Sequence, residues 1–280
     1  LNLSFVNVEE KKCTNSIRVN ELYQNLGYAY QLKLNFKQAE IYYLKAVELL
    51  KTNNYTNEIS LSKCNNLLGN LYVEMGQYPI ADSFYQEVKS TYNKILDKDH
   101  LWNGWILHNL GRLKIYQGRL RESLVNLTEA LRIKIKNLGE NNIDVAGTMV
   151  YLAYIYEQFG DLKTAEYFAN ASSNIWINFY GEGSEYHAYA AHNLISLDLR
   201  LGNYKKSTEL ANKAIELKTK HFGSNHPSLA TSYNALGNIH QMQQNFNEAI
   251  ENYRKAEQIF LYIKDTSSVE YVIVIHNLGV

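Results

Sequence analysis

The chain has 280 residues, of which 46% are hydrophobic and 20% are charged, a balance typical of a folded, soluble protein. Lys plus Arg and Asp plus Glu both number 28, so the formal net charge is zero. This balance argues against nucleic-acid partners and against binding to a membrane surface, because proteins of both kinds usually carry a surplus of basic residues. No apolar run approaches the roughly 18 residues of a membrane span.

The first segment, residues 1–15, is predicted to be a lead-in without a targeting signal, because no basic stretch precedes an apolar one. Two cysteines, Cys13 and Cys64, are too few for a disulfide framework, so we expect a reducing, cytoplasmic location. The chain does not begin with Met and ends inside a recurring motif, Asn277-Leu278-Gly279, so we expect it to be a piece of a longer protein.

From residue 16 to residue 280 the sequence repeats itself every 42 residues. We call the recurring reference position the anchor, and a Leu precedes it in every instance. The anchors are Gly27, Gly69, Gly111, Ala153, Ile195, Gly237 and Gly279. Because no insertion interrupts the period, we predict an array of about six full repeats plus the start of a seventh.

Each repeat is predicted to form two antiparallel helices, of which the second is the longer. Small residues recur twelve and nineteen positions after the anchor, as in Ala39 and Ala46, and let the two helices approach closely. A turn with Gly or a polar residue, such as the one at Gly76, separates the helices. Ala153 and Ile195 replace the anchor Gly, so we expect looser helix packing in those two repeats.

This pattern of small residues resembles the tetratricopeptide repeat, whose usual unit has about 34 residues. The 42-residue period and the turn Gly223-Ser224-Asn225-His226-Pro227 resemble the kinesin-light-chain type of that repeat. The resemblance implies an all-α, right-handed superhelical solenoid of antiparallel helix hairpins. It also implies that the first helices line a concave groove that holds a partner protein or peptide.

Positions three before and one after the anchor share one face of the first helix, and positions two and six before it flank that surface. Amides and aromatics dominate there: an Asn amide can pair with an extended peptide backbone, and a Tyr ring adds apolar area. The candidate peptide-binding residues are Asn25, Asn66, Asn70, His108, Asn109, Arg112, Tyr154, His192, Asn193, Asn234 and Asn238. The alternative is that the Asn residues were copied with the repeat or support local structure.

No catalytic, cofactor or metal site is predicted, and the chain is not expected to be an enzyme. Three of the eight histidines, His108, His192 and His276, recur two repeats apart, and helices packed roughly 8–10 Å apart keep such side chains from sharing one ion. The sequence has no phosphate-binding loop, dinucleotide fingerprint or nucleophile elbow.

The leading functional hypothesis is therefore an adaptor or scaffold that binds a partner protein or peptide in its groove. The alternative is the regulatory or sensor region of a larger bacterial signalling protein or caspase-like (CHAT-type) peptidase whose catalytic domain lies outside this chain. RNA recognition fits poorly with zero net charge. We also expect self-association through the incomplete C-terminal repeat, because its apolar face lacks the neighbour that would cover it.

Overall fold

The computed structural model describes residues 16–52, 58–266 and 268–279, apart from the side chains at positions 16, 17, 185, 188, 189, 192 and 193. The predicted lead-in, residues 1–15, lies outside the described residues. The described residues form thirteen α-helices and no strand. The helices are α1 Ser16–Leu32, α2 Phe36–Thr52, α3 Glu58–Glu74, α4 Tyr78–Ile95, α5 Leu101–Tyr116, α6 Leu120–Leu138, α7 Ile143–Gln158, α8 Leu162–Tyr180, α9 Glu185–Arg200, α10 Tyr204–Phe222, α11 Pro227–Met242, α12 Phe246–Tyr262 and α13 Val269–Gly279.

The fold is an all-α helical-repeat solenoid, as the sequence predicts. Odd-numbered helices are the first helices of the repeats and carry the anchors; even-numbered helices are the second helices. The chain divides into two compact units, Leu1–Asn137 and Leu138–Val280, which we call unit 1 and unit 2. In each unit a first helix packs against its own second helix, and that second helix packs against the next first helix.

The anchor glycines are required by close contact with the second helix. A Cβ atom on Gly69 would lie 2.4 Å from the ring of Tyr85, and one on Gly111 would lie 2.5 Å from Leu127. These large residues sit sixteen positions after the anchor and are completely buried. The anchor column and the column sixteen positions later therefore form one contact, in which one member must be small.

The two repeats without an anchor Gly have Ala sixteen positions later, at Ala169 and Ala211. Ile195 is 2% exposed and shares a hydrophobic cluster with Ala211. In this repeat the large residue is therefore on the first helix and the small one on the second, and the interface is filled. The expectation of looser packing is wrong for that repeat. At Ala153 and Ala169 both residues are small, and looser packing there stays a prediction.

The turn between the two helices of a repeat contains a residue with positive φ, always seven positions after the anchor. Glycine occupies this position in four repeats, where it adopts the left-handed conformation without steric cost. Leu34 and Gln244 adopt it in the first and sixth repeats, with φ of 57° and 63°.

Five of the first helices, α5, α7, α9, α11 and α13, begin directly after a residue that stands eleven positions before the anchor. Side chains of five residues in this column accept a hydrogen bond from a backbone N–H of the first turn: His100, Asn142, Ser184, His226 and Ser268. Such a cap satisfies one of the N–H groups that a helix start leaves without an intrahelical partner.

Candidate functional site

Successive first helices lie beside one another within each unit. In unit 1, α3 contacts both α1 and α5, and in unit 2, α11 contacts both α9 and α13. Equivalent positions of neighbouring repeats therefore come close together on these helices. The predicted groove residues lie on this layer of first helices.

In unit 1 the predicted residues form hydrogen bonds across the joint between α3 and α5. The Asn109 amide nitrogen donates to the Asn66 carbonyl oxygen at 2.8 Å, and Arg112 donates to Asn70 Oδ1 at 3.0 Å. The Tyr85 hydroxyl donates to the same Asn70 oxygen at 2.6 Å. Four of the predicted residues are thus brought together, but they bond to each other.

Unit 2 contains the same arrangement 168 residues, or four repeats, later. The Asn277 amide donates to Asn234 Oδ1 at 2.9 Å and lies 3.2 Å from Asn238 Oδ1. The Tyr253 hydroxyl donates to Asn238 at 2.8 Å. This recurrence supports the alternative that the Asn residues have a structural role, because their amides join one repeat to the next. Their contact with a peptide stays a prediction.

The remaining predicted residues fall into different environments. Asn25 and Tyr154 are exposed. His108 is half-buried, and burial together with the Lys134 and Arg112 cations holds its pKa well below the usual range, so its imidazole is neutral. The side chains of His192 and Asn193 lie outside the described part of the structure, so their predicted role stays a prediction.

A pocket opens beside the polar joint of unit 1, with a volume of about 240 Å³. The Lys63 Nζ lies 4.6 Å from the centre of the Trp102 ring, a cation–π distance. Trp105 is half-open to solvent, and burial raises the pKa of Tyr92 to about 12, so this hydroxyl is neutral. The pocket is lined by Gln24, Lys63, Asn66, Leu67, Tyr92, Trp102, Trp105 and Ile106.

A second pocket, of about 290 Å³, is lined by residues of α9, α11, α12 and α13 of unit 2. Seven of its lining residues occupy the positions of unit-1 lining residues, shifted by four repeats. They are Thr231, Asn234, Ala235, Phe260, Glu270, Ile273 and Val274. The two units therefore place a pocket at the same repeat positions and line it with different side chains.

Three of the predicted groove residues, Asn66, Asn234 and Asn238, line the two pockets. The residues that give the pocket rims their charge, Lys63 and Glu270, were not among the predicted residues. Lys63, Trp105, Thr231 and Ile273 all stand six before an anchor, in a column expected to flank the groove. Trp102 and Glu270 stand nine before it, at the start of the first helix. A comparison of these two columns between repeats would have found them.

Among the described residues, no group of three or more His, Cys, Asp or Glu side chains is placed to hold a metal ion. Within the same residues, no helix has the length and apolar character needed to cross a bilayer.

Solved structures with this fold include BtubC (BKLC) from P. vanneervenii, with a TM-score of 0.65 and 22% sequence identity over 79% of this chain and 89% of that chain. A putative kinesin light chain of Podosopora anserina with nearly identical TPR-like repeats has a TM-score of 0.58 and 21% identity, covering 74% of this chain and 97% of that one. A Rap protein complexed with Competence and Sporulation Factor has a TM-score of 0.67 and 15% identity, covering 99% and 78%. At these identities the similarity concerns the fold.

In sequence, no curated protein is significantly similar to this chain. Models of the tetratricopeptide repeat match residues 21–53, 61–136, 144–220 and 186–261. The matched segments span most of the chain and coincide with the helix hairpins of both units. The chain belongs to the tetratricopeptide repeat family.

Proposed function

We propose that this chain is a protein-interaction module that binds an extended segment of a partner protein on its first helices and acts as an adaptor or scaffold. The observation that carries the proposal is the recurrence of a pocket at the same repeat positions in both units, each beside a polar joint of paired Asn side chains. A pocket of this kind suits one apolar side chain, since roughly 150 Å³ is enough to hold benzene.

The paired amides support the proposal as well as the fold. An Asn side chain has both a carbonyl oxygen and an NH₂ group. Asn66 uses its oxygen to accept from Asn109, and Asn109 uses its NH₂ group to donate. Asn66 therefore keeps two N–H donors and Asn109 keeps its carbonyl oxygen, which are the groups that match a peptide backbone.

The surface around the pockets supports a protein ligand. Exposed aromatic side chains on the first helices, among them Tyr28, Trp105 and Tyr154, offer apolar area with few rotamers to freeze on binding. The zero net charge does not favour a phosphate-rich ligand. A structural neighbour, the Rap protein, was crystallised in complex with Competence and Sporulation Factor, so a fold similar to this one can hold a bound factor.

The proposal is tested by selecting short peptides from a library displayed on phage against the purified chain. The groove variants are Trp105→Ala in unit 1 and Tyr154→Ala in unit 2, which remove exposed aromatic side chains from first helices. Matched controls are Val125→Ala and Tyr167→Ala, which remove exposed apolar side chains from the second helices α6 and α8. Helix content by circular dichroism confirms that each variant is folded.

Enriched peptides that bind the wild type and the two controls, and bind at least one groove variant about tenfold more weakly, support the proposal. A tenfold loss of affinity is about that expected when an aromatic side chain is removed from the centre of an interface. Peptides that bind all variants equally would place the binding surface elsewhere. Selection of no peptide at all would leave the array without the proposed activity.

A further inference from the structure

The two equivalent pockets have a similar floor. Leu67 and Ile106 form part of it in unit 1, and Ala235 and Val274 occupy the same positions in unit 2. A floor of this kind accepts an apolar side chain by removing its surface from water, with little preference for its neighbours. Any selection for the sequence around that side chain must come from the rim.

The rims of the two pockets carry opposite charge. Among the described residues that line each pocket, the single charged one is Lys63 in unit 1 and Glu270 in unit 2. The equivalent of Lys63 in unit 2 is Thr231, and the equivalent of Glu270 in unit 1 is Trp102. Both the cation and the aromatic ring under it are thus replaced in unit 2, and a carboxylate takes their place.

The Glu270 carboxylate is accessible to a charged group of a ligand at the pocket. It is exposed, and no ion pair joins it to another side chain within the described residues. It also lies in the first turn of α13, where a carboxylate stabilises a helix through the partial positive charge of the helix start. This structural role predicts an effect on the stability of α13 and none on the choice of peptide.

From this charge complementarity we infer that the unit-2 pocket binds an apolar side chain of a partner segment that is flanked by Lys or Arg, and that Glu270 selects the basic neighbour. The inference rests on the proposed function and specifies its ligand. A surface ion pair adds little affinity, so the preference for a basic over an acidic neighbour is small, but its direction is fixed by the charge of Glu270. The pocket of unit 1, with Lys63, provides the internal comparison.

The test begins with the same displayed library, in which Lys and Arg are expected to be enriched beside the apolar residue of those peptides whose binding Ile273→Ala weakens. One such peptide is then labelled and its affinity measured by fluorescence anisotropy, beside a copy in which its basic residue is Glu. The wild type is expected to bind the basic form about 3- to 5-fold more tightly. This preference should shrink as salt is added.

Three variants separate selection from helix stability. Glu270→Gln should abolish the preference, and Glu270→Lys should reverse it in favour of the Glu-containing copy. Lys63→Gln, the control in unit 1, should leave the preference unchanged. A reversal by Glu270→Lys is not explained by fraying of α13, because fraying would weaken both peptides alike.

The outcomes also distinguish this inference from the proposed function. If peptides are selected without basic neighbours, or if Glu270→Gln and Glu270→Lys keep the wild-type preference, the inference is wrong and the binding function stands. If no peptide is selected by any form of the chain, the proposed function fails and the inference fails with it.

Discussion

Unit 1 and unit 2 each contain the same hydrogen-bonded joint between two first helices, and they differ in the pocket beside it. Asn66, Asn70, Tyr85 and Asn109 recur as Asn234, Asn238, Tyr253 and Asn277, with the same direction of each hydrogen bond. The rim of the pocket, in contrast, changes from Lys and Trp to Thr and Glu. Columns that join one repeat to the next are therefore the same in both units, and columns that face the open side vary. The joint and the rim of the pocket are formed by different columns of one repeat.

This comparison leads to a general expectation for substitutions. A residue that belongs to the joint should be replaceable only together with its partner, whereas a residue outside it should accept what the same column holds elsewhere in the chain. Replacing a residue by the one that another repeat holds in the same column tests this expectation.

The contact between Gly69 and Tyr85 is expected to show the largest effect. Tyr85→Ala removes a fully buried ring that also bonds Asn70, and should lower the free energy of unfolding by about 3–5 kcal/mol. Gly69→Ala alone should cost about 1–3 kcal/mol, because its Cβ would lie 2.4 Å from that ring. The double variant reproduces the Ala153 and Ala169 pair of a later repeat.

A double-mutant cycle measured by urea unfolding checks this prediction. The double variant should be less destabilised than the sum of the single variants by at least about 1 kcal/mol, because the methyl group added at position 69 has no ring to meet once Tyr85 is gone. Additive effects would show that the two columns do not act as one contact. In that case the exchange of sizes at Ile195 and Ala211 would need another explanation.

These contacts also indicate how much of the structure could be predicted from the sequence. The 42-residue period, with the small residues at fixed offsets, predicted the helix pairs, the longer second helices of most repeats and the family. These features depend on local helix periodicity and on contacts inside one repeat, which spacing along the chain determines. The exchange of sizes between Ile195 and Ala211 is visible only when the anchor column is compared with the column sixteen positions later, and the anchor column alone predicts looser packing.

The candidate site was only partly predictable. The groove columns were identified, but the bond from Asn109 to Asn66 joins residues 43 positions apart, one more than the period. Which columns meet across a joint depends on the rotation between successive repeats, and periodicity does not contain that rotation. The contact of Lys63 with the Trp102 ring crosses from one repeat to the next and was missed for the same reason.

Lys218, in α10 of unit 2, is the second position to test. It is 1% exposed, and its ammonium donates to the Ser228 carbonyl and the Ser232 hydroxyl at 2.9 Å each. The same column holds Leu50 in the first repeat. Because burial of a cation is costly, Lys218→Leu should raise the free energy of unfolding by about 1–2 kcal/mol at pH 7, as measured by urea unfolding.

The pH dependence of Lys218 gives this prediction a second readout. Burial lowers the pKa of Lys218 from 10.5 to about 8. Between these pH values the unfolded chain binds more protons than the folded chain, so the stability of the wild type relative to Lys218→Leu should rise by roughly 2–3 kcal/mol from pH 8 to pH 10.5. A Leu variant that is less stable at pH 7 and shows no such change would mean that the two hydrogen bonds outweigh burial.

The cap of α11 should make part of unit 2 sensitive to acid. His226 Nδ1 accepts from the Ser228 backbone N–H at 3.2 Å, which requires that nitrogen to be unprotonated. Burial and the Lys218 cation lower the pKa of His226, and the Phe222 ring stacks against the imidazole with ring centroids 4.6 Å apart. Because the folded pKa is lowered, the stability from this cap is complete above the unfolded pKa of about 6.5 and is lost as the pH falls below it.

His226→Asn tests this with a residue that the same column already uses at Asn142, where the side chain accepts from Asp144 N–H at 2.8 Å. The variant and the wild type should have similar stability at pH 7.5. At pH 5 the variant should be more stable by about 1 kcal/mol, the typical contribution of a helix cap. Equal losses in both proteins on acidification would assign the acid sensitivity to other groups.

The smallest effect is expected at the turn residue Gln244, whose equivalent four repeats earlier is Gly76. Both residues have positive φ, 63° and 71°. Both turns contain the same backbone hydrogen bond, from Gln244 N to Gln241 O at 2.9 Å and from Gly76 N to Val73 O at 3.0 Å. The turns thus differ mainly in the cost of the left-handed conformation to a residue with a Cβ. Gln244→Gly should raise the free energy of unfolding by about 0.5–1 kcal/mol, since part of the relief is offset by the greater freedom of Gly in the unfolded chain.

The reverse change, Gly76→Gln, isolates this backbone effect. A Cβ atom at Gly76 would meet no other atom within 4 Å, so the substitution introduces no clash with the rest of the protein. Its expected cost is therefore the same about 0.5–1 kcal/mol with opposite sign, as measured by urea unfolding beside Gln244→Gly. Unequal magnitudes would show that the glutamine side chain makes its own contribution in the turn of unit 2. Equal and opposite values would show that the two turns are interchangeable, as positions outside the joint and the pocket should be.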